Sequence, residues 1–294
     1  MWLIVGASGY LGSYFLKNIL EHTDDRIVAT YCSTPPADDA GGRVSWRPLD
    51  LAKREQITAL GAELAGVTEP LRVIVLSAIH HPDKVRENFA QAAEINFIGL
   101  TALLGALPAG ARLWYVSSDV VYGESVEKHF FRETDPVGPV NAYGRQKVVA
   151  EQIVLAFGHN VARCSFLIGP SRIGRPHFYD VIASTLRRGD VMEMLADQYR
   201  SAIDFDQASE LILRLMQRFP HDRLGVVNIG SDQPLSKFEV AQAIARAHDL
   251  PESGLKPVLF GDSTFFADRR ARDILLDNSK LKRLLGLDRV VCRF

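Results

Sequence analysis

Short, wholly apolar runs alternate with amphipathic stretches from the first residue onward. Trp2–Val5 has no polar alternation, the pattern of a strand buried on both faces. Tyr10–Glu21 carries Leu11, Phe15, Ile19 and Leu20 at helical spacing toward one face. Arg26–Tyr31 reads as a second strand, and Leu71–Ser77 and Leu113–Ser117 as further buried strands. Ala92–Leu107 and Ala142–Phe157 read as helices. This β-α-β-α order predicts a doubly wound parallel sheet with helices on both faces. After about residue 165 the rhythm changes: Val161–Leu167 still reads as a strand, His177–Arg188 and Ser209–Arg218 as helices, and Val226–Ile229 as a short strand. Lys237–His248 reads as a helix opened by Ser236 as N-cap. The division predicted is an α/β domain over residues 1–165 and a smaller α+β lobe over 166–294, with some of the later segments returning to the first domain.

Composition narrows the class. The 294 residues are 47% hydrophobic and 23% charged, enough apolar chain for a sizeable core. Thirty-four basic against 35 acidic residues leave a net charge of −1, so no strong field favours nucleic acid or an anionic membrane. Cys32, Cys164 and Cys292 are far apart, and no CxxC spacing points to zinc or to disulfides, so no metal site is expected. Reduced thiols fit a cytoplasmic protein. The opening apolar run is too short for a signal peptide, and no apolar stretch approaches the roughly 20 residues that span a bilayer.

Two motifs carry chemistry. Gly6-Ala-Ser-Gly9-Tyr-Leu-Gly12 follows the first strand and opens the first helix. In that setting Gly6 permits a tight turn, Gly9 lets a pyrophosphate approach backbone N–H groups, and Gly12 allows close helix–strand packing. The spacing is G-x-x-G-x-x-G. The second strand ends Ala29-Thr-Tyr-Cys-Ser-Thr34 without an acid. An acid there would bind a ribose 2′-hydroxyl and repel a 2′-phosphate, so the tip favours NADP while leaving NAD open. The second motif is Tyr143-Gly-Arg-Gln-Lys147, which puts a phenol and an ammonium on one helix face. The lysine is expected to lower the tyrosine pKa and prepare it for proton transfer at a carbonyl.

Together these residues resemble the extended short-chain dehydrogenase/reductase family, with a Rossmann-type fold and a C-terminal substrate lobe. The resemblance runs through Asp50-Leu51, Ser77-Ala78, Ser117 to Gly123, Glu133, Pro136, Pro139, Asn141, Arg163, Gly169-Pro170 and Asn228-Ile-Gly230. Within it, Asp83-Lys84, Phe166, Asp197-Gln198 and the Arg270–Leu281 segment are similar to the dTDP-4-dehydrorhamnose reductase branch of nucleotide-sugar reductases. The resemblance implies Ser118, Tyr143 and Lys147 as catalytic residues. It implies cofactor contacts at Gly6, Ser8, Gly9, Tyr10, Leu11, Gly12, Tyr31, Asp50, Leu51, Ser77, Ala78 and Lys147. Asp119, Phe166 and Arg200 would meet a nucleotide-sugar substrate, with Arg269, Arg270 and Arg272 as further candidates for its diphosphate. His80 and His81 fall in a loop that faces the active site in this family, where a polar loop tip is the plainer reading. The dehydratases of the family carry T-D-E where this chain has Ser118-Asp119-Val120, so the acid–base pair for elimination is incomplete. A sugar epimerase and a non-catalytic NADP-binding subunit, like the regulatory subunit of methionine adenosyltransferase, remain open. So does a homodimer through the Tyr143 helix.

Overall fold

The computed structural model describes residues 1–33 and 42–294. Seven strands form the main sheet: β1 (Trp2–Val5), β2 (Ile27–Tyr31), β3 (Val44–Pro48), β4 (Arg72–Val75), β5 (Arg112–Ser118), β6 (Asn160–Cys164) and β7 (Val226–Ile229). Their order is β7-β6-β5-β4-β1-β2-β3, and every pairing is parallel. The doubly wound Rossmann-type fold is therefore present. The order reverses between β1 and β4, which opens a crevice at the carboxyl ends of those strands.

The apolar runs are continuous because both sheet faces are covered. On β1, Trp2 and Ile4 join one core with α1 (Tyr10–His22) and α6 (Phe205–Arg218). Leu3 and Val5 join the opposite core with α2 (Arg54–Ala65), the helical rod α3 (Phe89–Ala106) and α4 (Ala142–Ala156). A third core lies in the C-terminal lobe, between α5 (Phe178–Arg187) and α7 (Lys237–Ala247).

Several elements differ from the sequence expectation. The rod α3 begins three residues early and is not uniformly α-helical: Glu94–Ile98 forms a π turn between two α segments. At 18 residues with a mean hydropathy of 1.3 it is long and apolar enough to cross a bilayer by length and composition, contrary to the expectation above. Its Leu100, Leu103 and Leu104 are nevertheless packed into the sheet core. The strand expected over Val161–Leu167 stops at Cys164, and Leu167–Ile168 pairs instead with Ile203–Asp204. Helix α6 starts at Phe205, four residues early, because Asp204 caps it by accepting from the Gln207 N–H at 2.8 Å. The capping of α7 is as expected, with Ser236 and Glu239 forming a reciprocal capping box.

A buried polar knot joins the late strands. Arg163 on β6 and Glu151 on α4 form a bidentate ion pair, with side chains 4% and 0% exposed. Arg163 also donates to the Tyr122 hydroxyl at 2.7 Å, which contacts Asn228 of β7 at 3.1 Å. The Asn228 N–H donates to Glu133.

Gly12 shows how tightly the first turn is wound. A Cβ there would stand 2.3 Å from the Gly6 carbonyl oxygen and 2.7 Å from the Ala7 backbone. Gly12→Ala is expected to cost at least about 1–3 kcal/mol. A lowered urea midpoint with an unchanged m-value would show it.

Candidate active site

The first turn leaves β1 at Gly6, whose φ of 91° suits glycine. Its N–H donates to the Thr30 hydroxyl of β2 at 2.9 Å, and a Cβ would stand 2.6 Å from the Ser77 hydroxyl after β4. Ser77 and Gly6 are thus pressed together at the crevice. Gly9 is the N-cap of α1, and no side chain caps that end. A Cβ on Gly9 would meet only the Gly6 carbonyl, at 3.3 Å, so the surface above it is open to an anion at the positive end of a 13-residue helix. This cradle fits a dinucleotide pyrophosphate. Ser8 and Tyr10 flank it, and Tyr10 hydrogen-bonds the Pro176 carbonyl of the far lobe at 3.0 Å. Leu11 is buried in the core beneath.

At the rim, Tyr31 ends β2, and Cys32 and Ser33 beyond it are exposed. Thr34 lies outside the described residues. Arg43, the nearest downstream arginine, turns away and donates to the Leu20 and Thr23 carbonyls at the end of α1. Asp50 accepts from the Ala52 N–H and closes the turn after β3. Leu51 is buried, and its carbonyl leaves no room for a Cβ on Gly99 of α3, at 2.0 Å.

Ser118, Tyr143 and Lys147 gather at the carboxyl end of β5. Asn141 caps α4 by accepting from the Gly144 N–H at 2.9 Å. A Cβ on Gly144 would lie 2.6 Å from the Val120 carbonyl, so only glycine lets this helix start approach the β5 end. Tyr143 is 7% exposed and packs with Val120 and Ile79. Lys147 is 3% exposed, and its ammonium donates to the Tyr115 hydroxyl at 2.8 Å and the Val116 carbonyl at 2.9 Å. It sits 5.9 Å from the Tyr143 ring centre.

The expected lowering of the Tyr143 pKa is not seen. Burial, then the neighbouring Asp119 and Cys164, push the phenol well above its ordinary value. Burial also pushes Lys147 down to about 8. The reason is desolvation: both groups are inside, the lysine is tied to Tyr115 rather than to Tyr143, and each is driven toward its neutral form.

The Ser118 hydroxyl donates to Asp119 at 3.0 Å, and Ser165 donates to the other Asp119 oxygen at 3.0 Å. Burial raises the Asp119 pKa against the opposing pull of Arg200, whose Nε lies 3.8 Å away. The Ser117 hydroxyl near the end of β5 is buried with no hydrogen-bond partner among the described residues. Arg200 spends its terminal nitrogens on the Tyr199, Arg272 and Ala271 carbonyls, so it positions Asp119 and the loop rather than standing free for a phosphate. Arg270 pairs with Asp83 at 3.0 Å, and the Arg272 guanidinium lies 3.4 Å from Asp273. Arg269 is exposed, and its carbonyl accepts from Asn141. Phe166 meets Phe178 edge to face. His80 stands in the loop after β4, where desolvation of the ring and then Lys147 hold its imidazole below the ordinary histidine value. His81 is the N-cap residue of the short helix Pro82–Glu87.

Sequence reasoning passed over three groups. Tyr115 was hidden inside an apolar strand run, yet it anchors Lys147. Asn96 sits in the π turn and holds both the N–H and the carbonyl of Ile79, at 2.8 and 3.1 Å, while donating to Gln146 on α4. A buried asparagine in an apolar helix was the signal for it. Lys237, read only as the start of α7, reaches into the aromatic floor of the C-terminal lobe.

The chain is similar to known proteins along nearly its whole length. Over 97% of its length the chain is 26% identical to a dTDP-glucose 4,6-dehydratase of Xanthomonas campestris, covering 87% of that protein. It is 27% identical to the methionine adenosyltransferase 2 subunit beta of Xenopus tropicalis, over 96% of this chain and 81% of that one. Among solved structures, a hypothetical dTDP-4-dehydrorhamnose reductase from Sulfolobus tokodaii superposes with a TM-score of 0.80 at 23% identity, covering 99% of this chain and 97% of the other. A dTDP-4-dehydrorhamnose reductase from Bacillus anthracis, solved in complex with NADP, gives 0.80 at 21% identity, covering 99% and 94%. Residues 1–291 match the family described as RmlD substrate binding domain. With its glycine cradle, its Tyr143–Lys147 helix and this match along nearly its whole length, the chain belongs to that family.

Proposed function

We propose that this protein is an NADP(H)-dependent reductase of a nucleotide-activated 4-keto-6-deoxysugar, with NAD(H) as the alternative donor. Residues 1–165 would carry most of the cofactor site and 166–294 most of the substrate site. The observation that carries the reading is the convergence of Ser118, Tyr143 and Lys147 at the end of β5, with the aliphatic Val120 beside Tyr143. Reduction of a ketone needs a proton donor and a polar group for the oxygen, and these residues offer both. Elimination of water also needs a base at the carbon next to the carbonyl, and Val120 has no titratable proton to exchange.

When bound, the nicotinamide supplies the hydride. The protein does the rest. Tyr143, held protonated by burial, gives its proton to the oxygen as negative charge develops there. The ammonium of Lys147, fixed by Tyr115 and Val116, stabilises the phenolate left behind. Ser118, released from Asp119, donates to the same oxygen. Asp119 stays in place through Ser165 and Arg200.

The methionine adenosyltransferase subunits among the relatives favour one second reading, a non-catalytic NADP-binding subunit. Turnover separates the two. On the reductase reading, NADPH is oxidised with at least one member of a panel of nucleotide 4-keto-6-deoxysugars. Binding of NADPH with no oxidation across the panel would favour the subunit. Tyr143→Phe is expected to keep NADPH affinity in calorimetry and to slow steady-state turnover about 10²–10⁴-fold.

Gly9→Val tests the cradle. The fold tolerates a side chain there better than at Gly12, so melting temperature changes little while calorimetric affinity for NADPH collapses. In the wild type NADPH should bind more tightly than NADH, and the opposite order would reverse the choice of cofactor. Incubated with NAD⁺ and dTDP-glucose, the protein should form no 4-keto-6-deoxy product by mass spectrometry. Catalytic formation of that product would replace the reductase reading with a dehydratase.

A further inference from the structure

Lys237 is placed where a cation is costly. It is the first residue of α7, at the positive end of an 11-residue helix. Glu239, the nearest acid along the chain, is turned back to accept from the Ser236 N–H at 2.7 Å. The Lys237 ammonium lies 5.0 Å from the ring centre of Phe266, 5.7 Å from Phe166 and 5.9 Å from Phe178. Among the described residues no carboxylate comes within 4.0 Å of it. The charged groups that face it are Arg200 on the strand Tyr199–Arg200, Arg270 on the C-terminal segment, and Glu193 on the strand Met192–Leu195. Burial, then Arg200 and Arg270, push its pKa down to about 8. Ring faces offer some cation–π attraction, but not the neutralisation that a shielded ammonium between two guanidinium groups requires.

The two arginines have partners of their own. Arg200 is held by three carbonyls and Arg270 by Asp83 and the Asp268 carbonyl. Lys237 alone of the three faces a cavity with donors to spare. That cavity, about 240 Å³, is walled by Phe178, Met192, Met194, Leu195, Phe265 and Phe266, with Glu193 also on its lining but not within 4.0 Å of the Lys237 ammonium. A mostly apolar, partly aromatic cavity with an ammonium that no carboxylate touches suits a ligand that joins a planar base to an anion.

We propose that Lys237 is the substrate-anchoring cation of the C-terminal lobe, which neutralises the diphosphate of a nucleoside diphosphate while the aromatic walls take the base. This rests on the nucleotide-sugar reading above and adds to it which charge does the anchoring. The bound diphosphate supplies the counter-charge that the protein lacks, so the lysine is costly to the free protein and repaid on binding.

The test titrates dTDP and UDP by calorimetry, and thymidine by ligand-observed NMR, into the wild-type chain, Lys237→Met and Lys237→Arg. Lys237→Met is expected to weaken diphosphate binding roughly 10- to 100-fold, the range for a lost charge-assisted contact. Thymidine binding should change less than about threefold, since the nucleoside makes no such contact. Lys237→Arg should restore most of the diphosphate affinity. The melting temperature of free Lys237→Met should match or exceed that of the wild type, because an unneutralised cation has been removed. Equal diphosphate affinity in wild type and Lys237→Met would overturn the proposal and leave the nucleotide-sugar reading standing. An equal loss for thymidine and diphosphate would also overturn it, as the mark of a packing role. A wild-type chain that binds neither diphosphate would remove the nucleotide-sugar reading itself, and this proposal with it.

Discussion

The central sheet is covered on both faces, and that constraint decides where chemistry can occur. Each strand of the middle, β1 above all, has side chains locked into a core on either side. Polar groups that must meet a ligand are left only the strand ends. At the amino ends the chain returns from helices. At the carboxyl ends it turns outward, and the reversal of strand order between β1 and β4 holds two such turns apart. Gly6, Ser77 and Ser118 all stand at that edge, on three neighbouring strands or the turns that leave them. The α4 helix is drawn over it by the near-contact of Gly144 with Val120.

Burial also sets the resting charge of the site. Desolvation drives Tyr143 and Asp119 upward and Lys147 downward. The phenol therefore rests with its proton in place, as the proposed role of proton donor requires. Ser118 and Ser165 share Asp119, so the carboxyl is held without being presented to the cleft. Tyr143 and Lys147 are related less by direct contact than by shared enclosure: the ammonium is tied down on the strand side, and the ring centre stands 5.9 Å from it.

Much of the fold was legible in the residues. An apolar run such as Trp2–Val5 has few alternatives to a two-faced strand, and a capping box such as Ser236–Glu239 marks a helix start by local hydrogen bonding alone. The glycine turn and the Tyr143–Lys147 spacing were legible for the same reason: their geometry is local. What stayed hidden depends on contacts between distant segments. Nothing in the pattern of Ala92–Leu107 separates a π turn from an α-helix, since both bury the same apolar residues; the turn serves Asn96, whose partner Ile79 is far back in the chain. Arg200 looked free because its partners are carbonyls, which carry no sequence signal. Past Cys164 the Ser165 hydroxyl is committed to Asp119, 46 residues back in the chain, which no local pattern announces. Glu133, Arg163 and Asn228, which helped to mark the family, meet one another in the interior and hold strands together.

That interior knot limits how the sequence can drift. Arg163 and Glu151 are both sealed from water, so changing either one alone strands its partner at a cost of about 3–5 kcal/mol. A large part of a typical domain's stability, about 5–15 kcal/mol, would go in one step. Replacing both with apolar residues would avoid the stranded charge, but would take from Tyr122 the donor on which its hydroxyl relies, and Tyr122 in turn contacts Asn228. Four residues on β6, α4, β7 and the turn after β5 are thus bound into one heritable unit: viable descendants keep the set together or exchange it together, whatever sugar or cofactor the surrounding loops come to prefer.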